Sequence, residues 1–511
     1  MLKTITVAAR DRARLAEILS VMGRYGLTVL LMRMGLSSEP DAAQQQGKGA
    51  LSLPARTRLA MEELGPTFVK LGQILATRGD LLTPDWIAEL EQLHSSAPTF
   101  PFEALRPAVE EALGGPPEEI FAAFDPEPLA AASMAQVHRA RLENGREVVL
   151  KIRRPGIRPR IEADLRLIAQ LAALVESASA EARRFTPQAT MRQLAEAMLE
   201  ELDFTNEGRN ADRLRSDFED DPRIFVPEIH WRYSSETLLV MDYIGGVPPR
   251  SAQALEAAGI DPAAIAEAGA DAVLDMILIN GRFHADPHPG NLLCLPGNRI
   301  ALIDLGMIGH VSPRRREEIL GFVQSLASGD PAALASTLHI WSQGGGASPE
   351  AIQRAAEKLI AKQGGARLVL SAVIADFFPL LREERLTMPS DLLLIFKALV
   401  TIDGVLNMIQ PDFDLSGAIG RVWPRLMRAR FAPENWTPVA QALLFGLSRL
   451  GGNAPHLLRA IKEKIETPIV PPAPDPAIAQ AVRQAGWRIS IALILAALLV
   501  LLGLFLDGRF A

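Results

Sequence analysis

The chain has 511 residues, a formal net charge of −7 from 53 basic and 60 acidic side chains, and a single cysteine, Cys294. That length exceeds one ordinary hydrophobic core, so two or three structural units are expected. The charge balance gives no electrostatic basis for nucleic acid as the main partner, and one cysteine excludes an intrachain disulfide, which fits a reducing compartment for the body of the chain.

Residues 1–50 read as a helical segment and a polar linker, "SSEPDAAQQQGKGA". The opening "MLKTITVAARDRARLAEILS" lacks the continuous apolar core and small-residue cleavage site of a secretory signal. Residues 51–125 predict a helical extension, because Leu59, Leu64, Phe68, Leu71 and Leu75 recur at near-helical spacing within a pattern that runs from Thr57 to Leu93. From Pro126 to Ile152 the pattern turns stranded, with "EVVLKI" the clearest strand and "ENG" a hairpin turn before it. This small lobe, 126–245, holds an inserted helical stretch over 160–215 and closes on "TLLVMDYI", a buried strand ending in "GG". Residues 246–465 predict a helical large lobe. It opens with an apolar helix over Ala263–Gly281, then two strands, "NLLCL" and "RIALIDLG", joined by the turn residues Pro296, Gly297 and Asn298. From Pro313 to about Lys464 it is mainly helix, with no motif that carries chemistry; Arg314-Arg315-Arg316 reads as a solvated helix start. Residues 466–488 contain "ETPIVPPAPDP", a proline-rich spacer.

Residues 489–506, "ISIALILAALLVLLGLFL", form an uncharged run of 18 residues. As a helix it would reach roughly 27 Å, about the hydrocarbon thickness of a bilayer. Arg483 and Arg488 precede it and only Arg509 follows, which places the body on the cytoplasmic side of a single-pass anchor. The fold class expected is α+β: two lobes, an N-terminal helical extension, and a C-terminal transmembrane helix.

"HADPHPGN", His284 to Asn291, carries the densest chemistry. Phosphoryl transfer needs nucleotide, metal and nucleophile held in place more than it needs covalent help. In the protein-kinase pattern an H-R-D triplet supplies an orienting aspartate, an asparagine five residues later binds Mg²⁺, and a D-F-G aspartate binds it too. Here Asp286 ends the triplet, Asn291 lies five residues on, and Asp304 opens "DLG". Lys151 closes "EVVLK", near the V-A-I-K pattern in which a strand lysine pairs with phosphates. The strand "LLVMDYI" would join the lobes, its backbone at Met241 to Tyr243 facing a base. Two other readings of the quoted stretch stay open. One is a transition-metal site through His284, Asp286 and His288, although Pro287 and Pro289 prevent a helical ligand face; the other is a purely structural turn.

In these and three further motifs the sequence resembles the UbiB/ADCK family of atypical kinase-like proteins. "KLGQ", Lys70 to Gln73, matches the family's KxGQ signature; "AAAS", Ala130 to Ser133, its alanine-rich loop; and "ELDFTNE" its ExD element, with Glu201 and Asp203, followed by Glu207. The resemblance covers roughly residues 55–310 and implies a bilobal protein-kinase-like fold. It implies that Asp286 is the catalytic-loop aspartate and that Lys151 pairs with phosphate and with Glu207. Ala130, Ala131, Ala132, Ser133, Met241 and Tyr243 would help hold ATP or ADP, and Asn291 and Asp304 would hold Mg²⁺. Lys70 and Gln73 would meet Glu201 and Asp203 over the site as a regulatory cover, leaving little room for a peptide. It further implies ATP hydrolysis in support of ubiquinone or related isoprenoid quinone synthesis at an inner membrane. The partners would be polyprenyl precursor lipids and other enzymes of that synthesis. A phosphotransferase for a small molecule or protein, and a nucleotide-binding scaffold, are the rival functions. Bacterial relatives often resemble proteins with two adjacent C-terminal membrane helices; this sequence offers one.

Overall fold

The computed structural model describes residues 9–27, 51–76, 82–93, 98–178, 187–342, 347–363, 370–384, 386, 388–411, 413 and 415–430. The proline-rich spacer, the apolar run 489–506 and the polar linker lie outside the described residues.

Proline and small polar residues set many of the helix starts. Helix α1 spans Arg12–Arg24, α2 Leu53–Leu64 and α3 Pro66–Ala76, followed by α4, Pro84–Leu90. The helical pattern from Thr57 to Leu93 thus falls into three helices among the described residues. The chain turns at Gly65, whose φ is 101°, and Pro66 and Pro84 each open a new helix, where a missing backbone N–H costs nothing. Helices α5 (Phe102–Leu113) and α6 (Pro117–Ile120) lead into the small-lobe sheet.

That sheet is antiparallel in the order β1-β2-β3-β5, from β1 (Ala123–Ala131), β2 (Ala135–Arg141), β3 (Glu147–Arg153) and β5 (Leu238–Asp242). Pro126 and Pro128 fall in β1, an edge strand, where a residue without an N–H breaks no inner ladder. Strand period 2 divides the sheet's faces. Val148, Leu150, Ile152, Leu238 and Val240 pack with Phe102, Leu105 and Val109 of α5 into the small-lobe core. At about 1.5–3 kcal/mol for each large apolar side chain buried, that face holds the register. Val137, Val149, Lys151 and Met241 are thereby turned to the other face, paired across the ladder as Val137 with Lys151 and Val149 with Met241.

Between β3 and β5 run α7 (Ile157–Ala178), α8 (Pro187–Glu201), α9 (Phe204–Asp217) and the two-residue β4 (Ile224–Phe225). The large lobe begins with α10 (Ala252–Ala257) and α11 (Pro262–Asp275), the latter capped by the Asp261 side chain with Pro262 at its first position. It continues through β6 (Arg282–His284), β7 (Leu292–Leu295), β8 (Arg299–Leu302) and β9 (Ile308–His310); β4-β8-β7 form one small sheet and β6-β9 another. Asn298, with φ 57°, and Gly297, with φ 79°, make the β7–β8 turn. Helices α12 (Pro313–Ser328), α13 (Pro331–Trp341), α14 (Pro349–Gln363), α15 (Leu370–Glu383), α16 (Ser390–Ile409) and α17 (Leu415–Arg430) complete it. Phe322, Trp341, Phe377 and Phe396 pack ring against ring at its centre.

Among the described residues one helix, over Asp391–Ile409, is long and apolar enough to cross a membrane by length and composition. Its window is 61% buried within the protein, as befits a core helix of the large lobe.

Candidate active site

One cleft of about 1770 Å³ collects residues from both lobes. Its small-lobe wall carries Ala130, Ala131 and Ala132, Val149, Lys151, Met241 and Tyr243; its large-lobe wall carries Asp286, Asn291 and Asp304. Most of the site residues expected from the sequence thus meet in one place. Ser133 lies at the tip between β1 and β2 and is not among the lining residues.

Each side chain arrives by a local cause. Lys151 faces the cleft because its strand neighbours Leu150 and Ile152 take the core face. Its Nζ is 2.8 Å from both carboxylate oxygens of Glu207 and 3.4 Å from Oδ1 of Asp304. Glu207 is one turn into α9, whose N-terminus is capped by Asp203, the carboxylate accepting from the Thr205 N–H at 2.9 Å. Glu207 is buried behind Lys151 and does not line the cleft, so it acts on the lysine and not on a ligand. Asn210, one turn further on, donates to the Leu305 carbonyl at 3.2 Å and ties α9 to the "DLG" segment.

The hairpin β7–β8 brings Asn291 and Asp304 together. Leu292 pairs with Leu302, and the Ile303 N–H donates to the Asn291 carbonyl at 3.0 Å, so the two residues flank the open end of one ladder. Asn291 donates its Nδ2 to the Asp286 carbonyl at 3.0 Å, which leaves Oδ1 to face a ligand. The Asp304 Oδ1 accepts the Gly306 N–H at 3.2 Å. An amide oxygen and a carboxylate are hard donors that suit Mg²⁺, which takes one or two protein oxygens and completes its shell from phosphate and water. No cluster of three or more histidine, cysteine, aspartate or glutamate side chains fit to hold a metal occurs among the described residues. His284 is buried nearby; its Nδ1 accepts the Asp286 N–H at 3.2 Å, and burial holds its pKa below the usual value.

The electrostatics follow from crowding. Burial works against the Lys151 charge, but the Asp304 and Glu207 carboxylates outweigh it and hold the lysine protonated. Burial also opposes the Asp304 charge, yet Lys151 draws that carboxyl well below its ordinary range. Glu207 goes the other way: burial, reinforced by Asp304, pushes it up despite Lys151. The site is a fixed cation between two carboxylates, one of them open to the cleft.

The KLGQ helix α3 is close to this centre. Lys70 is 2.8 Å from the Glu201 carboxylate, and its Nζ also reaches the Met307 sulfur at 2.6 Å. A Cβ at Gly72 would run into Leu93 and Met61, so the glycine lets α3 lie tightly on its neighbours. Two expectations need correction. Gln73 does not meet Glu201 or Asp203; it donates to the Leu93 carbonyl at 3.3 Å and lines the cleft. Asp203 does not meet Lys70, because its carboxylate is engaged by Thr205 as the α9 cap. The strand joining the lobes is also more committed than expected. The Tyr243 N–H donates to the Glu147 carbonyl at 2.9 Å and the Asp242 N–H to the Glu228 carbonyl at 3.1 Å, so neither is a free donor for a base.

One cleft residue of consequence belongs to none of the sequence motifs. Lys397, from α16, lines the cleft with its Nζ 3.2 Å from Oδ1 of Asp286. The signal available was a single lysine inside an otherwise apolar stretch, "LLLIFKALVTI".

The model of the ABC1 atypical kinase-like domain matches residues 92–338, and that of the UbiB helical domain matches residues 356–414. A protein of Marinobacter nauticus named "Probable protein kinase UbiB" is 36% identical over 396 residues, 75% of this chain and 72% of that protein. A protein of the same name from Pseudomonas paraeruginosa is 32% identical over 471 residues, 89% of this chain and 87% of that protein. Among solved structures, the complex of Rv3197 with erythromycin from Mycobacterium tuberculosis superposes with a TM-score of 0.47 at 22% identity, over 70% of this chain and 92% of that one.

Proposed function

Since the chain belongs to the UbiB family of ABC1 atypical kinase-like proteins, we propose that it binds ATP or ADP with Mg²⁺ in the cleft between its lobes. In this reading it turns ATP over in support of isoprenoid quinone synthesis. The observation that carries the reading is the meeting of Lys151, Asp286, Asn291 and Asp304 in one cleft, with Lys151 held by Glu207. Lys151 takes nucleotide phosphates, and Asn291 and Asp304 take the metal, which supplies charge neutralisation on the phosphates when bound. Asp286 orients the attacking hydroxyl or water through its carboxylate.

The alanine loop narrows the nucleotide's approach. Ala130 and Ala131 end β1, and the Ala132 N–H closes the hairpin on the Ala135 carbonyl at 2.8 Å. Three Cβ atoms stand where glycines would let backbone reach phosphate. The acceptor is water or a small group on a polyprenyl precursor lipid rather than a protein side chain, because α3 and α4 line the same cleft through Gln73, Ala76, Ile87 and Leu90. The apolar limb of the cleft, with Phe378, Val400, Val405 and Met408, suits such a lipid. The uncharged run 489–506 would hold the body on the cytoplasmic face of an inner membrane, beside other enzymes of quinone synthesis.

The test is phosphate release from ATP with and without precursor lipid in vesicles, repeated with Asp304→Asn. Lipid-stimulated release that disappears in the variant supports the reading. Label retained on an acceptor would replace hydrolysis by phosphotransfer. Nucleotide binding with no turnover under any of these conditions would reduce the protein to a scaffold.

A further inference from the structure

Helix α16 turns one face to the cleft: Leu393, Lys397, Val400, Thr401, Gly404, Val405 and Met408 recur at helical spacing. Lys397 is the one charged side chain on that face. Its neighbours in sequence, Phe396 and Ala398, are buried in the large-lobe core, which fixes the helix and aims the lysine. The ammonium lies 3.2 Å from Asp286 Oδ1, and both side chains are about one quarter exposed, at 25% and 27%. Glu91, at the end of α4, lines the same cleft. Holding a lysine on an apolar face costs side-chain freedom and partial desolvation, and the position requires a function or a partner to offset that.

We propose that Lys397 is a catalytic residue of this site: carried in by the UbiB helical domain, it contacts the transferring phosphoryl group from the wall opposite Lys151. This rests on the nucleotide reading given above and adds to it a second cation. The geometry leads there in two steps. A nucleophile oriented by Asp286 lies roughly 2.6–3.2 Å from its carboxylate, and the phosphorus it attacks lies about 3–3.5 Å beyond. A flexible ammonium beside that carboxylate is then within reach of the equatorial oxygens, where charge accumulates. Lys151 is already shared between Glu207 and Asp304, at 2.8 and 3.4 Å, so a second cation adds charge that those carboxylates do not offset. Of the other cleft-lining arginine and lysine side chains, Arg382 is drawn to the Leu82 carbonyl at 2.7 Å and Arg250 lies on the exposed rim. The helical domain thus does more than pack against the kinase-like body; it completes its site.

The experiment uses an ATP acyl-phosphate, whose acyl group passes to lysine amines that touch the terminal phosphate, with the modified lysines read by mass spectrometry on the full chain. Acylation of both Lys151 and Lys397, suppressed by excess Mg·ATP, is the result expected. Acylation of Lys151 alone overturns the inference and leaves the nucleotide reading standing. Acylation of neither sinks both. Turnover supplies a second readout. Lys397→Met is expected to lower kcat about tenfold or more with nucleotide Kd within about threefold, and Lys397→Arg to recover most of the loss. Unchanged kcat in Lys397→Met, or kcat, nucleotide affinity and melting temperature all falling together, would show a residue that only supports the fold.

Discussion

Replacing Arg14 with alanine is expected to loosen the helical extension from the small lobe. Arg14 is 7% exposed, and its Nε and Nη2 donate to the two carboxylate oxygens of Asp164 in α7 at 2.6 and 3.0 Å. Nη2 also donates to the Leu64 carbonyl at the end of α2, and Thr67 in α3 donates to Asp164 at 3.0 Å. One buried guanidinium therefore joins α1, α2 and α7, and through Asp164 it reaches the KLGQ helix. Removing it strands a carboxylate that is 1% exposed with a single hydroxyl partner. Breaking a buried pair in this way costs about 3–5 kcal/mol, since the remaining charge is left uncompensated. Replacing both partners by apolar groups costs far less, so Arg14→Met with Asp164→Leu should lie within about 1 kcal/mol of the parent. Hydrogen exchange over residues 53–76 is the measurement. The single variant should exchange about a hundredfold faster or more, at 1.4 kcal/mol per tenfold. The double variant should return towards the parent rate. A single variant that loses less than about 1 kcal/mol, or a double variant that loses as much as the single, refutes the reasoning.

Two further outcomes are expected. Ala131→Gly removes a Cβ from the wall of the cleft proposed to hold nucleotide and should change the relative affinity for ATP and ADP; unchanged preference in a calorimetric titration would show that the loop does not shape the nucleotide pose. Asp275 faces Arg425 at 3.2 Å, and burial pushes its carboxyl up to about 6 even though Arg425 opposes the shift. The folded chain then holds that proton more tightly than the unfolded chain. Its contribution to stability is present in full below about pH 4 and is lost as pH rises through 6. Asp275→Asn stays neutral and should gain on the parent by up to about 3 kcal/mol across that window, two pKa units at 1.36 kcal/mol each. A difference between the two proteins that is flat with pH in denaturant titrations would contradict this.

The placement of the cleft residues was legible in the sequence wherever it depends on short range. "EVVLK" carries its own period-2 pattern, so the face that Lys151 takes follows from the apolar residues on either side. The turn at Pro296 to Asn298 puts Asn291 and Asp304 at one end of a hairpin before any tertiary contact is known. The division of Thr57–Leu93 into separate helices is marked in the sequence too, because Pro66 and Pro84 are visible as breaks.

What depends on packing between distant elements was not legible. Asp203 and Gln73 belong to matched motifs, but their partners were decided by which group lay nearest once the chain had folded: the α9 N–H groups for one and the Leu93 carbonyl for the other. Lys397 was a lone cation in an apolar helix, and its spacing could assign it a helical face but not what that face would meet. The order of the motifs and the side each strand residue turns to are therefore readable before folding, because both are properties of neighbours along the chain. Lys397, more than a hundred residues beyond "HADPHPGN", meets Asp286 only in the folded chain, because that contact exists only when two lobes and their cores close on one cleft.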